Sequence, residues 1–402
     1  MTICDNNICS GCAACQEVCP KGCITFEADE LGALYPKIEA KECLECGLCH
    51  NVCPNNVLPT YHQAKKAFAA WSKDAEERRT SASGGVATEM YKLFLAEDGR
   101  CVGVSYDKEK GAIFQFVESV HDLSLVKNSK YTYSYTNGIY RKVQSELNQG
   151  KELLFIGLPC QVAGLLNFLK KKYDNLYTVD IICHGVAPTK YIQQHVKSVE
   201  VAKSAKATEI LFRDPAKGTH RFFLALYDAG RCFYSKNMEG TDLYQIGYHK
   251  ALIYRENCYS CAYARPERVG DLTIGDFSGL GRDAACEYNG IGVSCILANT
   301  DKGLKLIERL SNQISLFERP LSEALNYEKQ LKSPSVKHPQ RDVFEATYKA
   351  TSSFKEAASR ALKSDIRAFK LARFSPMPHL RGLVRLLTTP RMRAQIRKMI
   401  KL

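Results

Sequence analysis

The cysteines near the amino end constrain this chain more than any other feature. They run Cys9-x2-Cys12-x2-Cys15-x3-Cys19-Pro20, then Cys43-x2-Cys46-x2-Cys49-x3-Cys53-Pro54. Three cysteines spaced by two residues let one tight loop turn three thiolates towards an iron–sulfur cube. The fourth, three residues on and followed by proline, is carried past that cube to a second one. The spacing therefore predicts two 4Fe–4S clusters, one on Cys9, Cys12, Cys15 and Cys53, the other on Cys43, Cys46, Cys49 and Cys19. A structural zinc site uses two CxxC pairs, and each run has one cysteine too many for that. A disulfide framework needs an oxidising compartment. The start, Met1-Thr2-Ile3-Cys4, lacks the basic and apolar regions of an export signal. Cys4 and Cys23 stand outside the pattern and read as spare thiols.

This spacing resembles that of bacterial two-cluster ferredoxins, which implies an α+β ferredoxin-like dicluster domain over residues 1–58. With 402 residues there is room for two or three domains, and an apolar fraction of 45% suits a real core. No window holds eighteen consecutive apolar residues, so no membrane-spanning helix is expected. Many cysteines without an export signal predict a reducing, cytoplasmic setting. The net charge of +13 is concentrated in residues 361–402, which hold eleven Lys or Arg against one acid, Asp365. The remaining body is close to neutral, which argues against nucleic acid as a partner.

After a polar connector containing Pro59, Ala67 to Trp71 reads as the first strand of a second domain. Thr80 to Gly85 opens an amphipathic helix, Val86 to Ala96, ended by Asp98-Gly99. Small residues at a helix start let a ligand approach, although Ser83 alone reads as an ordinary N-cap. Cys101 to Tyr106 and Ala112 to Val117 read as strands, and Asn137 to Leu147 as a helix. Leu153 to Ile156 is a buried-strand run, followed by a helix from Gln161 to Lys171, a strand from Leu176 to Ile182 and a helix beginning at Pro188. That alternation predicts an α/β domain with a mainly parallel sheet, over residues 67–335. Cys160 and Cys183 then lie just past the carboxyl ends of consecutive strands, the edge where open α/β sheets bind ligands. With Cys258 and Cys261 they could hold a third cluster. Read separately, they are a helix-start thiol, a core residue and a redox pair. His184 and His220 read as solvated loop residues.

An ordered set of stretches resembles the beta subunits of coenzyme F420-reducing hydrogenase and formate dehydrogenase. They are Ser83-Gly84-Gly85, Ser129-Lys130-Tyr131, Gly157 to Gln161, Asp180 to Val186, Cys258 to Cys261 and Gly270 to Phe277. The resemblance covers residues 67 to 300 approximately and implies an oxidoreductase that binds FAD beside a 4Fe–4S cluster. It would pass electrons between clusters and a two-electron carrier. Carried over by motif, Ser83, Gly84, Gly85, Ser129, Lys130 and Tyr131 would contact the flavin, and Cys160, Cys183, Cys258 and Cys261 would hold the third cluster. A lysine there would stabilise negative charge on the reduced cofactor. Two departures leave the carrier or substrate open. Ser278 stands where the family often has tryptophan, and Arg213-Asp214-Pro215 with Gly218-Thr219-His220 replace its Arg-Asp-Lys and Gly-Trp. No catalytic side chain is singled out.

In the carboxyl-terminal tail, residues 350–402, Phe354, Ala358, Leu362, Ile366 and Phe369 recur at helical spacing and predict a helix packed on the body. Ser375 to Pro378 breaks it. A second amphipathic helix beyond Thr389, rich in Arg and Lys, suits a peripheral contact at the inner membrane surface, a solvated tail or a protein partner. The reading is a cytoplasmic iron–sulfur flavoenzyme exchanging electrons with a donor or acceptor protein or a redox small molecule. Its alternatives are an electron-transfer subunit without a substrate pocket and a redox-sensing or assembly protein.

Overall fold

The computed structural model describes residues 2–288 and 291–373. In the amino-terminal module the two cysteine runs adopt the same backbone. Gly11 and Glu45 take positive φ (71° and 52°), as do Ala13 and Gly47 (60° and 72°). Each run then enters a five-residue helix, Ala14–Val18 or Leu48–Val52, which ends at Cys19 or Cys53 in extended conformation. A following proline favours that extended residue, and it carries the fourth cysteine away from its own loop. Left-handed backbone at Ala13 and Glu45 costs about 1 kcal/mol or more each. A hairpin of β1 (Ile24–Ala28) and β2 (Leu34–Ile38), with Ile24 opposite Ile38, joins the two runs.

The rest of the chain is built on a nine-stranded sheet. In chain order its strands and those of a small side sheet are β3 (Lys66–Ser72), β4 (Arg100–Asp107), β5 (Gly111–Val117), β6 (Ser134–Tyr135), β7 (Leu153–Gly157), β8 (Leu176–Ile181), β9 (Glu209–Leu211), β10 (Leu224–Asp228), β11 (Arg231–Lys236), β12 (Leu272–Asp276), β13 (Ser294–Ala298) and β14 (Ile314–Arg319). The large sheet runs β14-β3-β13-β12-β8-β7-β4-β5-β6, and β11-β10-β9 form the side sheet. Its centre, β12-β8-β7-β4, is parallel. Antiparallel ladders flank it at β14–β3–β13–β12 and β4–β5. The sheet is thus mixed, with the expected parallel part at its middle. All of β7 is buried, as a strand covered on both faces must be.

The helix Val86–Ala96 has the expected bounds. The expected helix at Gln161 begins at Pro159, whose fixed φ and missing N–H suit a first turn. Ser83 is not an N-cap: Gly85, at φ 84°, caps that helix, and the Ser83 hydroxyl donates to Val293 O at 2.9 Å.

The ferredoxin-like module shares a core with the sheet domain. Cys12, Ala14 and Val52 pack in one cluster with Val102, Phe155, Val162 and Phe168. Arg141 binds the module's first helix, donating from Nε to Glu17 O at 2.5 Å and from Nη2 to Cys19 O at 2.9 Å. Gly164 permits a close approach, since a Cβ there would stand 3.0 Å from Cys12 Sγ. At the other end Phe354, Ala358 and Leu362 are fully buried, with Ile366 and Phe369 packed beside them. They span two consecutive helices, Phe354–Ala361 and Lys363–Arg373, with Leu362 at the junction between them. The Ser375–Pro378 break and the helix expected beyond Thr389 fall outside the described residues. Among those described, no helix is long and apolar enough to cross a membrane.

Candidate functional site

The cysteines gather around three cavities. Cys9, Cys12, Cys15 and Cys53 line one, together with Ser10, Gly11, Ala13 and Cys4. Cys19, Cys43, Cys46 and Cys49 line another, together with Cys23 and Leu44. In each, the fourth cysteine of the expected set comes from the opposite run, as the spacing predicts. Cys160, Cys183, Cys258 and Cys261 line the third, with Tyr133, Pro159, His184, Asn257 and Ser10. None of the eighteen cysteines is disulfide-bonded. Among the described residues no three His, Cys, Asp or Glu side chains converge on a single-ion site. The thiols stand around cavities instead, as a cube bound at its corners requires.

The third set is assembled by tertiary structure. β7 and β8 pair in parallel with Gly157 opposite Asp180, so the turns that follow them set Cys160 and Cys183 side by side. Cys258 and Cys261 arrive on a short 3-10 turn, Glu256–Ser260, and its exit. The loop from Cys261 to β12 is fixed on the end of β8 by Asp180. This carboxylate accepts from Arg268 Nη2 at 2.6 Å, Thr273 Oγ1 at 2.8 Å, Gly270 N at 2.9 Å and Val269 N at 3.2 Å. From the other side Ser335 donates to His184 O at 2.7 Å and helps to cover the cavity.

The electrostatics of these thiols suit a cationic core. Burial pushes Cys12 and Cys258 up to about 12 and raises Cys15, Cys160 and Cys183. Without metal such groups stay protonated, whereas a coordinating metal removes the proton outright. The neighbouring Cys4 thiol, as proton donor, holds Cys53 down at about 6 and Cys9 at about 7, while its own pKa rises. Cys23 Sγ lies 3.4 Å from Cys19 Sγ. Cys4 and Cys23, outside the ligand pattern, each line a cavity as a fifth sulfur. Their short sequence distance from the runs was the one available signal. The Glu45 amide donates to Cys43 Sγ at 3.4 Å, which ties the left-handed turn at Glu45 to a sulfur.

The two triplets expected to meet a flavin lie on neighbouring loops. Lys127 joins these loops, with Nζ 2.6 Å from Thr80 Oγ1 and 2.7 Å from Glu77 Oε1. No hydrogen bond among the described residues links the triplets themselves. Gly84 is stitched into the sheet: its N–H donates to Ser294 Oγ at 2.9 Å and its carbonyl accepts from Ser72 N at 2.7 Å. Its amide is thus committed, and its role is close packing. Lys130 is different. Among the described residues its Nζ meets only the carbonyls of Lys127 (2.7 Å) and Asn128 (3.2 Å), and desolvation pushes it down to about 7. The Tyr131 ring stacks on Tyr248 at 4.6 Å, and the Tyr248 hydroxyl donates to Gly185 O at 2.9 Å, two residues after Cys183. Beside them desolvation, with the charges of His184 and Arg213, holds His249 down at about 4. A half-buried cation without a carboxylate partner, next to stacked aromatic rings, fits an anionic ring cofactor. Tyr131, Tyr248 and Gly185 link that loop to the third cavity, a link that no sequence pattern announces.

Residues 8–57 match the 4Fe-4S dicluster domain model. Residues 150–324 match the model for the carboxyl-terminal part of the coenzyme F420 hydrogenase/dehydrogenase beta subunit. The chain is similar to the coenzyme F420-dependent sulfite reductase of Methanocaldococcus jannaschii, 25% identical over 352 residues, 82% of this chain and 50% of that protein. It is 27% identical over 172 residues to the F subunit of the F(420)H(2) dehydrogenase of Methanosarcina mazei, covering 39% of this chain and 47% of that protein. It therefore spans about half the length of both. At the amino end it is 38% identical over 56 residues to an uncharacterized ferredoxin of M. jannaschii, 14% of this chain and 71% of that protein. With its thiol-lined cavities and these two matches in sequence order, the chain is similar over residues 150–324 to coenzyme F420 hydrogenase/dehydrogenase beta subunits and carries a 4Fe-4S dicluster ferredoxin domain at its amino end.

Proposed function

We propose that this chain is an iron–sulfur flavoprotein with three 4Fe–4S clusters and FAD, exchanging electrons between a protein partner and a two-electron carrier of the coenzyme F420 type or an organic substrate. The observation that carries this reading is the sorting of the twelve expected ligands into three cavities, four to each, with Cys4 and Cys23 as additional thiols in two of them. When bound, the clusters supply single-electron relay and the flavin supplies two-electron hydride exchange. Cys9, Cys12, Cys15 and Cys53 would hold one cluster, Cys19, Cys43, Cys46 and Cys49 the second, and Cys160, Cys183, Cys258 and Cys261 the third.

The chain's own residues support an ordered arrangement. Cys46 and Leu44 are exposed at the second cavity, which suits contact with a protein donor or acceptor. Ser10 lines both the first and third cavities, and Tyr133, on the wall of the third, donates to Gly11 O of the first run at 2.6 Å. Lys130 would meet the negative charge of the flavin, with Ser129 and Tyr131 beside it. Ser83 and Gly85 would shape the neighbouring loop, with Gly84 holding it to the sheet.

The test is anaerobic purification with iron and flavin measured together. About twelve irons and about one FAD per chain are expected, and Cys160→Ser or Cys258→Ser should remove about four irons. Iron unchanged in both variants would remove the third cluster. A colourless, zinc-bearing chain without flavin would end the whole reading. One alternative, an electron-relay subunit of a larger complex, predicts full iron with no flavin.

A further inference from the structure

We propose that Arg255 is a charge-compensating residue between the first and third cavities, stabilising the reduced state of the clusters in both. The proposal rests on the three-cluster reading above. Arg255 is 1% exposed, and among the described residues it has no carboxylate partner. The other deeply buried arginines do: Arg268 pairs with Asp180, Arg213 with Asp276 and Arg341 with Glu345. Arg255 Nη2 donates only to backbone, to Leu34 O at 2.9 Å and Cys9 O at 3.2 Å, and its Nε has no hydrogen-bond partner. Tyr35 and Tyr133 present ring faces at 5.0 and 5.1 Å.

The backbone of the same residue faces the other way. Its N–H donates to Val186 O at 2.9 Å, just past Cys183, and its carbonyl accepts from Cys258 N at 3.0 Å. One residue thus touches the loop of Cys9 and both loops that bear Cys183 and Cys258. Gly11 makes room for it, since a Cβ there would stand 3.2 Å from Nη2 and 2.9 Å from the Tyr133 ring.

A guanidinium cannot shed its proton to escape burial, and a buried charge without a counter-charge is strongly disfavoured. Rings and carbonyls soften the cost without neutralising it. The missing negative charge is that of the clusters. Four thiolates around a doubly positive 4Fe–4S core leave a net charge of about −2, and an added electron makes it about −3. A fixed cation nearby favours the more negative state of each.

The test is a redox titration of the anaerobic holoprotein followed by electron paramagnetic resonance, for the native chain, Arg255→Gln and Arg255→Lys. Arg255→Gln should disfavour reduction of two of the three clusters by about tenfold, or 59 mV for one electron. Arg255→Lys, which keeps the charge but loses the fork, should retain most of the native value. Identical titration of native protein and Arg255→Gln at full iron would overturn the proposal. So would equal loss of iron in both variants, which is the mark of a purely structural clamp. A native iron count of about eight would instead overturn the third cluster, and this proposal's third-cavity half with it, before any Arg255 variant is compared.

Discussion

Replacing Arg268 by methionine tests how the third cavity is held. Asp180 is fully buried and Arg268 is 2% exposed. The carboxylate takes two contacts from this arginine, Nη2 at 2.6 Å and Nε at 3.1 Å, besides those from Thr273, Val269 and Gly270. Arg268→Met keeps the last three and leaves the negative charge without its cation. Breaking a buried pair from one side costs about 3–5 kcal/mol. At about 1.4 kcal/mol per factor of ten, the loop should open some hundred- to several-thousandfold more often. Hydrogen exchange at the Val269 and Gly270 amides reads this directly, because the carboxylate is their acceptor. Asp180→Asn should cost a comparable amount. The double variant, which removes both charges, should be several kcal/mol better than the sum of the two. Exchange within about fivefold of native in Arg268→Met, or simple additivity in the double variant, would refute the view that this pair anchors the loop after Cys261.

Three other outcomes follow from particular contacts. Gly84→Ala would set a Cβ 2.3 Å from Ala70 O, and crowding against backbone should destabilise the fold by about 1–3 kcal/mol, read as a lower unfolding temperature. Desolvation pushes Lys130 down to about 7 in the folded chain, whereas the unfolded chain keeps that proton to about 10.4. The unfolded state therefore binds more protons across that window, so this group makes stability rise with pH from about 7 to about 10. Melting temperatures of native protein and Lys130→Met should converge as pH rises, if the lysine acts as argued, and a constant difference would count against it. Removing residues 379–402 should release the chain from anionic membrane fractions if the basic tail makes a peripheral contact, and unchanged fractionation would end that idea.

How much was legible beforehand depended on how local each constraint is. The eight amino-terminal cysteines could be partitioned from spacing because a short loop and a following proline decide where each thiol points. The two runs indeed share their left-handed residues and their extended fourth cysteines. The helix Val86–Ala96 and the strand β7 were equally readable, one from its apolar period and its glycine stop, the other from an unbroken apolar run. Ser83 was misread as a cap because the backbone at Gly85, rather than side-chain chemistry, starts that helix.

What the chain alone determined was chemistry encoded within a few residues: thiol spacing, strand and helix periodicity, and a proline or glycine at each change of direction. Tertiary structure decided everything that depends on segments distant in sequence. It made the flanks of the sheet antiparallel, and it brought Cys258 and Cys261 to the strand ends that carry Cys160 and Cys183. It also drew Cys4 and Cys23 into the first two cavities and buried Arg255, with no carboxylate partner among the described residues, between two sets of thiols. Such meetings depend on strand order and on which faces pack together, and no pattern of neighbouring residues records either.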